Sequence, residues 1–182
     1  IALANPNQPI EVILNLKQIS EICKMARKYN SLVIIDEAYY HFNNTTAKRL
    51  INKFDNLIVV RTFSKAFGLA GMRVGYTMAN KKIIGYMMSI KPIYEINAFN
   101  IKLIRLLINN INEMKKYTKA VKKGTLKLKK YLANHGIKMY GKYSNTVLFR
   151  LRDYSSVKKI TKFLYERKFI VRPMVIDGDN KF

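Results

Sequence analysis

A short apolar run, Leu32–Ile35, constrains the fold of this chain more than any other segment. It is continuous, rich in β-branched residues, and ends abruptly at Asp36 and Glu37. Runs of this kind are typical of strands that are covered on both faces, as in parallel α/β sheets. Polar residues at the carboxyl end of such a strand lie where open α/β sheets place ligand contacts. We therefore expect a parallel sheet with a ligand site at its strand ends.

Helical and strand-like segments alternate around this run. Apolar residues recur at helical spacing from Leu16 to Ala26, behind the candidate N-cap Asn15. A short helical pattern at Lys48–Phe54 leads to a second strand at Leu57–Val60, and Met72–Ala79 predicts a further one. The order predicts an α/β fold, a three-layer αβα arrangement with a mainly parallel sheet and crossover connections.

The later part of the chain predicts more helices and a smaller α+β unit. Helices are expected over Lys81–Ser89, from about Ala98, over about Glu113–Asn134 with His135-Gly136 as C-cap region, and over Val157–Arg167. Short strands are expected at Ile137–Tyr140, Thr146–Leu151 and Phe169–Val171. We predict part of a large domain (residues 1–112), an interdomain helix (113–135) and the start of a small domain (136–182).

The formal net charge of +23 on 182 residues leaves two interpretations open. A domain this basic could bind nucleic acid, since lysines neutralise phosphates. The basic residues are spread from Lys17 to Lys181 without a recognition motif, which favours an ordinary solvated surface. A nucleic-acid-binding module is therefore a remote alternative, and we expect neither a nucleic-acid nor a membrane partner.

Cysteine and histidine usage argues against disulfide and metal chemistry. One cysteine, Cys23, and two separated histidines support neither an intramolecular disulfide nor a metal cluster. No apolar run approaches the roughly 20 residues of a membrane span, and the first residues lack the basic lead of a signal peptide. The expected location is the cytoplasm. The chain begins inside a strand-like segment without Met, which indicates an excerpt of a longer protein.

Three sets of polar residues are expected at the strand ends of one sheet. They are Asn5–Pro9, Asp36 with Tyr39, and Thr62, Ser64 and Lys65 with Arg73. The apolar and small neighbours of Lys65 favour a partly desolvated, nucleophilic amine. Pyridoxal phosphate requires such an amine, a carboxylate for its ring nitrogen, donors for its phenolate oxygen, and hydroxyls with a guanidinium for its phosphate. The sequence therefore predicts a pyridoxal-phosphate site.

On these segments the chain resembles fold type I pyridoxal-phosphate enzymes, and it is most similar to histidinol-phosphate aminotransferases. The resemblance rests on Asn5-Pro6-Asn7-Gln8-Pro9, Asp36-Glu37-Ala38-Tyr39 and the segment Arg61–Tyr76. It implies the second half of the large domain and the beginning of the small one. It also implies a homodimeric enzyme that transfers an amino group from a donor, which can be phosphorylated, to a keto acid.

The resemblance implies catalytic roles for three residues. Lys65 forms the Schiff base with the cofactor and later carries the proton between the substrate and cofactor carbons. Asp36 pairs with the pyridinium nitrogen, and Tyr39 donates a hydrogen bond to the phenolate oxygen.

It also implies the remaining cofactor contacts. Ser64 and Arg73 bind the phosphate with Thr62 in support, and Gln8 replaces the usual asparagine as a second partner of the phenolate oxygen. The family's Thr-Gly is replaced by Ile10-Glu11, so we expect a differently shaped loop. This departure leaves open a decarboxylase of a phosphorylated amino acid. Other family parts lie before Ile1 and after Phe182, so the segment alone is expected to be inactive.

Overall fold

The structure is a computed structural model, and it describes residues 1–174 of the chain. A four-stranded sheet and a two-stranded sheet are accompanied by helices. The strands are β1 (Ala2–Ala4), β2 (Val33–Asp36), β3 (Leu57–Thr62), β4 (Gly75–Ala79), β5 (Met139–Tyr140) and β6 (Leu148–Phe149). The helices are α1 (Leu16–Lys28), α2 (Tyr40–Asn43), α3 (Lys81–Ile90), α4 (Ala98–Asn109), α5 (Ile111–Asn134) and α6 (Tyr154–Glu166), with 3₁₀ turns at Lys48–Leu50 and Ala70–Met72.

The larger sheet has the order β1-β2-β3-β4. Its first three strands are parallel, and β4 is antiparallel to β3. In the register of the sheet, Asp36 lies between Ala4 on β1 and Val60 on β3. The carboxyl ends of the parallel strands therefore meet at one end of the sheet, where α/β proteins bind ligands. The predicted mainly parallel α/β fold is confirmed.

Helix α1 covers one face of this sheet. Asn15 and Gln18 form a reciprocal capping box, in which each side chain accepts from the other's backbone N–H at 3.0 and 2.9 Å. Such a cap stabilises a helix by about 1 kcal/mol and confirms the predicted helix start. The buried side of α1 packs with alternate residues of two strands in one core: Ile19, Cys23, Ala26, Val33, Ile35, Leu57 and Val59.

The opposite face of β2 is less covered than its sequence predicts. Val33 and Ile35 are fully buried, whereas Ile34 is half-buried and Asp36 is exposed. Because successive side chains of a strand point to opposite faces, Ile34 and Asp36 share the second face. Within residues 1–174, this second face of β2 therefore remains accessible for further contacts at the carboxyl end of the strand.

A buried ion pair joins the ends of β2 and β3. Arg61 Nη2 lies 2.9 Å from Glu37 Oε2, and the two side chains are 8% and 0% exposed. Glu37 also accepts hydrogen bonds from Thr46 Oγ1 at 2.9 Å and the Ala47 N–H at 2.6 Å. Burial alone would lower the pKa of Arg61, but hydrogen bonds with Tyr76 and Glu37 and the Glu37 charge raise it. The Arg61 guanidinium therefore stays charged, and its pairing with Glu37 fixes the two strand ends relative to each other.

Two predicted strands differ in the structure. The strand expected over Met72–Ala79 begins only at Gly75, since Ala70–Met72 forms a 3₁₀ turn and Arg73 has a φ of +53°. The strand expected at Phe169–Val171 is wrong, because no ladder forms there. Instead, the chain turns at the end of α6, where the Phe169 N–H donates to the Leu164 carbonyl at 2.9 Å.

The second half of the described chain otherwise follows the predicted element order. Helix α5 ends at the cap His135, and Gly136 has a φ of +69°, the left-handed conformation that favours glycine at this position. Strands β5 and β6 pair antiparallel, and both are shorter than predicted. The division into residues 1–112, 113–135 and 136–182 remains a prediction, and residues 175–182 lie outside the described part.

The buried pair generates a stability prediction. Replacing Glu37→Ala leaves the Arg61 guanidinium buried and unpaired, which should lower the free energy of unfolding by about 3–5 kcal/mol. The control Glu113→Ala removes the exposed Lys116–Glu113 pair, and it should cost at most about 1 kcal/mol. Urea denaturation followed by circular dichroism measures both changes. Equal losses in the two variants would contradict the role given to the pair.

Candidate functional site

Lys65 lies in the loop that connects β3 to β4. It lies between the buried residues Phe63 and Ala66, and its own side chain is half-buried. The Gly68 N–H donates to the Lys65 carbonyl at 3.1 Å, and Gly68 has a φ of +72°. The ammonium nitrogen lies 5.2 Å from the centroid of the Tyr39 ring. The turn therefore places the Lys65 side chain next to Tyr39, which follows β2.

An aromatic cluster packs within and against this loop. The Phe67 ring packs against Phe63 and His41, each at a centroid distance of 5.0 Å. Burial lowers the pKa of His41, and the charge of Arg61 acts in the same direction. The neutral imidazole is therefore favoured, which suits a ring packed edge-on against Phe67.

Two hydroxyls precede Lys65. Thr62 Oγ1 accepts from the Ser64 N–H at 3.0 Å and lies 3.3 Å from the Val74 carbonyl, to which it donates. Thr62 thus shapes the loop through the backbone at Ser64 and Val74, and its supporting role at the phosphate stays a prediction. Opposite Thr62 in the ladder, a Cβ on Gly75 would lie 2.5 Å from the Arg61 carbonyl oxygen, so this close approach requires glycine.

Arg73 lies at the far side of the same loop. Its side chain is exposed, and Nη1 donates to the Ala70 carbonyl at 3.0 Å. A guanidinium carries five N–H donors, so this contact leaves capacity to bind an anion. The structure holds Arg73 on its own 3₁₀ turn and gives no direct contact between Arg73 and Lys65.

Asp36 and Tyr39 follow the end of β2. Asp36 Oδ1 accepts from the Ala38 N–H at 2.9 Å, which orients the exposed carboxylate. A carboxylate can accept further donors in addition to this one. Tyr39 is half-buried at the start of α2, with the Lys65 ammonium over its ring. The structure therefore brings Tyr39 and Lys65 together and places Asp36 on the adjacent strand end.

The loop after β1 completes this end of the sheet. Asn5 is fully buried, and its amide binds both the N–H and the carbonyl of Leu14, at 2.8 and 3.1 Å. The Gln8 amide instead binds Glu11 Oε1 at 3.3 Å through Nε2 and accepts from Thr146 Oγ1 at 2.8 Å. Gln8 and Tyr39 line the same groove of about 550 Å³. Gln8 therefore faces the later part of the chain as well as the groove.

Sequence reasoning missed the role of Glu11. The replacement of a glycine by Glu11 predicts a differently shaped loop, but Glu11 adopts a φ of +64°, the left-handed conformation that favours glycine. Glu11 therefore adopts the backbone conformation that glycine favours, and its presence requires no change of loop shape at this residue. Glu11 is also buried and bound by the distant turn at residues 142–144. The sequence feature that could have indicated this role is an acidic residue directly after a proline-rich loop.

Other kinds of site find little support in residues 1–174. No cluster of three or more His, Cys, Asp or Glu side chains there could hold a metal ion. None of the helices in that part of the chain combines the length and apolar character needed to cross a membrane.

Comparison with known proteins places the chain in one family. The family model for aminotransferase class I and II matches residues 1–178. A histidinol-phosphate aminotransferase of Thermoanaerobacter pseudethanolicus is 38% identical over 173 residues, which are 94% of this chain and 47% of that protein. The corresponding protein of Methanocaldococcus jannaschii is 34% identical, over 94% of this chain and 46% of its own length.

Solved structures agree in fold. A histidinol-phosphate aminotransferase from Clostridium acetobutylicum has a TM-score of 0.84 and 23% identity, covering 98% of this chain and 56% of its own. A decarboxylase from Sulfurospirillum multivorans has a TM-score of 0.80 and 25% identity, covering 99% and 54%. The chain thus spans about half the length of the proteins it matches. With its parallel strand ends, its Lys65 loop and a family match over nearly its whole length, this chain belongs to the class I and II aminotransferases.

Proposed function

We propose that the full-length protein containing this chain is a pyridoxal-phosphate-dependent aminotransferase of the histidinol-phosphate aminotransferase type. The observation that carries the proposal is the position of Lys65. Its ammonium nitrogen lies 5.2 Å from the Tyr39 ring centroid, in a loop beside the strand end that bears the exposed Asp36. An amine, a phenol and a carboxylate from two adjacent strand ends are the groups that this cofactor requires.

The residues present fit the cofactor. Asp36 is held by one backbone N–H and keeps acceptor capacity for a protonated ring nitrogen. Tyr39 lies beside the Lys65 ammonium and can donate its phenol hydrogen to the phenolate oxygen of the ring. Ser64 and the guanidinium of Arg73, both on the Lys65 loop, are suited to the phosphate. When bound, pyridoxal phosphate supplies an electron sink for the charge that develops on the substrate carbon.

The chain's own residues then have distinct tasks. Lys65 Nζ would hold the aldehyde carbon of the cofactor covalently, with release of water, and the same amine, when freed by the substrate amine, would move a proton at the substrate carbon. The Asp36 carboxylate holds the proton on the ring nitrogen, because a fixed negative charge favours the protonated form of a nearby base. Tyr39 orients the ring by binding its phenolate oxygen.

The substrates are an amino donor and a keto acid. We propose a phosphorylated donor because the relatives that are 34–38% identical are histidinol-phosphate aminotransferases. The residues that would hold the cofactor in this chain do not bind the variable part of the donor. The products of turnover therefore identify the donor.

Decarboxylation is the second candidate. The fold is shared with a decarboxylase at 25% identity, and the cofactor contacts proposed for this chain serve either reaction. The replacement of Thr-Gly by Ile10-Glu11 lies on the loop that also carries Gln8, next to the groove. A decarboxylase would break the bond to the substrate carboxylate and release carbon dioxide, whereas an aminotransferase keeps that carboxylate.

We also propose a homodimer in the cytoplasm. Two strongly exposed apolar side chains lie between α3 and α4, where Ile93 is 87% and Tyr94 is 94% exposed. Apolar surface of this kind favours an interface in the complete assembly. Light scattering after gel filtration measures the oligomeric state of the full-length protein.

The reaction itself is tested by its products. Full-length protein supplied with histidinol phosphate, a 2-keto acid and pyridoxal phosphate should yield the keto form of the donor and a new amino acid, both identified by mass. Lys65→Ala should lose this activity, because no other group replaces the covalent amine. Carbon dioxide and a shortened amine from a phosphorylated amino acid would instead establish the decarboxylase. Lack of turnover with both substrate classes would contradict the proposal.

The role of Asp36 is tested by a near-isosteric change. Asp36→Asn keeps an oxygen that accepts from the Ala38 N–H, so the free energy of unfolding should change by less than about 1 kcal/mol. The amide carries no charge to hold the ring-nitrogen proton, so turnover should fall by about 100-fold or more. Asp55→Asn, which alters an exposed pair with Arg27, is the matched control and should retain turnover. Wild-type turnover in Asp36→Asn would refute the assigned role.

A further inference from the structure

Both predicted partners of the phenolate oxygen lie on segments that contact one distant turn. We call residues 141–146, between β5 and β6, the small-domain turn. Asn43 Nδ2, on the helix that follows Tyr39, donates to the Tyr143 carbonyl at 3.3 Å and to the Tyr39 carbonyl at 2.9 Å. Glu11, on the loop that carries Gln8, binds the same turn from the other side. The turn therefore bridges the ends of β1 and β2.

The Glu11 carboxylate makes the densest of these contacts. Oε2 accepts from the consecutive N–H groups of Lys142 and Tyr143, the second at 2.6 Å. Oε1 accepts from the Ser144 hydroxyl and, at 3.3 Å, from Gln8 Nε2. The residue is only 5% exposed. A buried carboxylate bound by consecutive backbone N–H groups is a strong, charge-assisted arrangement.

The backbone at Glu11 is in an unfavourable conformation for this residue type. Its φ of +64° lies in the left-handed region, which is unfavourable for a residue other than glycine. Glycine would remove this cost but has no side chain to reach the small-domain turn. The hydrogen bonds of the carboxylate offset the strain, and they span 131–133 positions of sequence. The contact is therefore between distant parts of the fold and is not a local turn.

Gln8 is held at both ends of its amide by this arrangement. Nε2 faces the Glu11 carboxylate, and Oε1 accepts from Thr146 of the small-domain turn at 2.8 Å. A primary amide nitrogen carries two hydrogens, so the contact with Glu11 leaves one N–H available. The orientation of that remaining N–H, beside the groove lined by Gln8 and Tyr39, is fixed by Glu11 and Thr146.

We propose that Glu11 is a positioning residue, an interdomain clamp that fastens the Gln8 loop to the small-domain turn and orients the Gln8 amide beside the groove that Gln8 lines with Tyr39. The clamp itself stands on the hydrogen bonds of Glu11. Its effect on the cofactor rests on the proposed function, since it acts through the expected contact of Gln8 with the phenolate oxygen.

Hydrogen exchange in the full-length protein tests the clamp directly. In Glu11→Gln and Glu11→Gly, the amides of Lys142 and Tyr143 should exchange at least about tenfold faster than in the wild type, because they lose a charged acceptor. Two surface variants serve as controls. Glu21→Gln changes an exposed glutamate on α1, and Asn30→Gly relieves backbone strain at an exposed residue with a φ of +50°. Neither variant should alter exchange at the amides of Lys142 and Tyr143.

The amides of Ile19 and Cys23 in the α1 core serve as the internal reference. Faster exchange at Lys142 and Tyr143 with an unchanged α1 core identifies local release of the turn. Unchanged exchange at Lys142 and Tyr143 in both Glu11 variants would overturn the clamp, as would a rise that only parallels the α1 core. Glu11→Gly separates the two possible roles of the residue, since it relieves the backbone strain while it removes the carboxylate.

The absorbance spectrum of the bound cofactor tests the effect on Gln8. Glu11→Gln should shift the pH midpoint of the visible band in the same direction as Gln8→Ala, and the double variant should show less than the sum of the two shifts. Additive shifts would contradict orientation through Gln8. Wild-type protein that binds no pyridoxal phosphate would refute the proposed function and leave the exchange result on the clamp intact.

Discussion

The buried pair between Glu37 and Arg61 is the interaction on which the rest of the site depends. The hydrogen-bond ladder aligns β2 and β3, but it does not fix the loops that leave them. Glu37 begins the first loop, and Arg61 lies one residue before Thr62, where the second begins. The Arg61 guanidinium also lies 3.4 Å from the centroid of the Tyr40 ring, directly after Tyr39. One ion pair therefore ties both loops to the sheet.

This arrangement explains why so few groups suffice to form a site. The backbone N–H of Ala38 holds Asp36, the Thr62 hydroxyl holds the backbone at Ser64, and the aromatic contacts of Phe67 support the Lys65 loop. These contacts hold the Asp36 carboxylate, the backbone at Ser64 and the Lys65 loop in place. Preorganised groups of this kind keep their geometry when a ligand arrives, which is the requirement for positioning in catalysis.

Local signals in the sequence predicted the sheet and the position of Tyr39 and Lys65 after two adjacent strands, where the structure has them. The β-branched runs before Asp36 and Arg61 and the cap at Asn15 depend on neighbours within a few positions, and the structure contains each of them. The expected strand at Phe169–Val171 failed because a short apolar run at a helix end can equally form a turn. The Glu11 contacts could not be predicted from the sequence, since they join residues 131–133 positions apart and depend on a backbone conformation atypical of glutamate.

The central claim is that Lys65 holds the cofactor, and covalent trapping tests it most directly. Full-length protein loaded with pyridoxal phosphate is reduced with borohydride, digested, and analysed by peptide mass spectrometry. We predict a cofactor adduct on the peptide that contains Lys65, absent in Lys65→Ala and retained in the surface control Lys17→Ala. Protein that binds the cofactor but carries the adduct on a different lysine, or on none, would contradict the account.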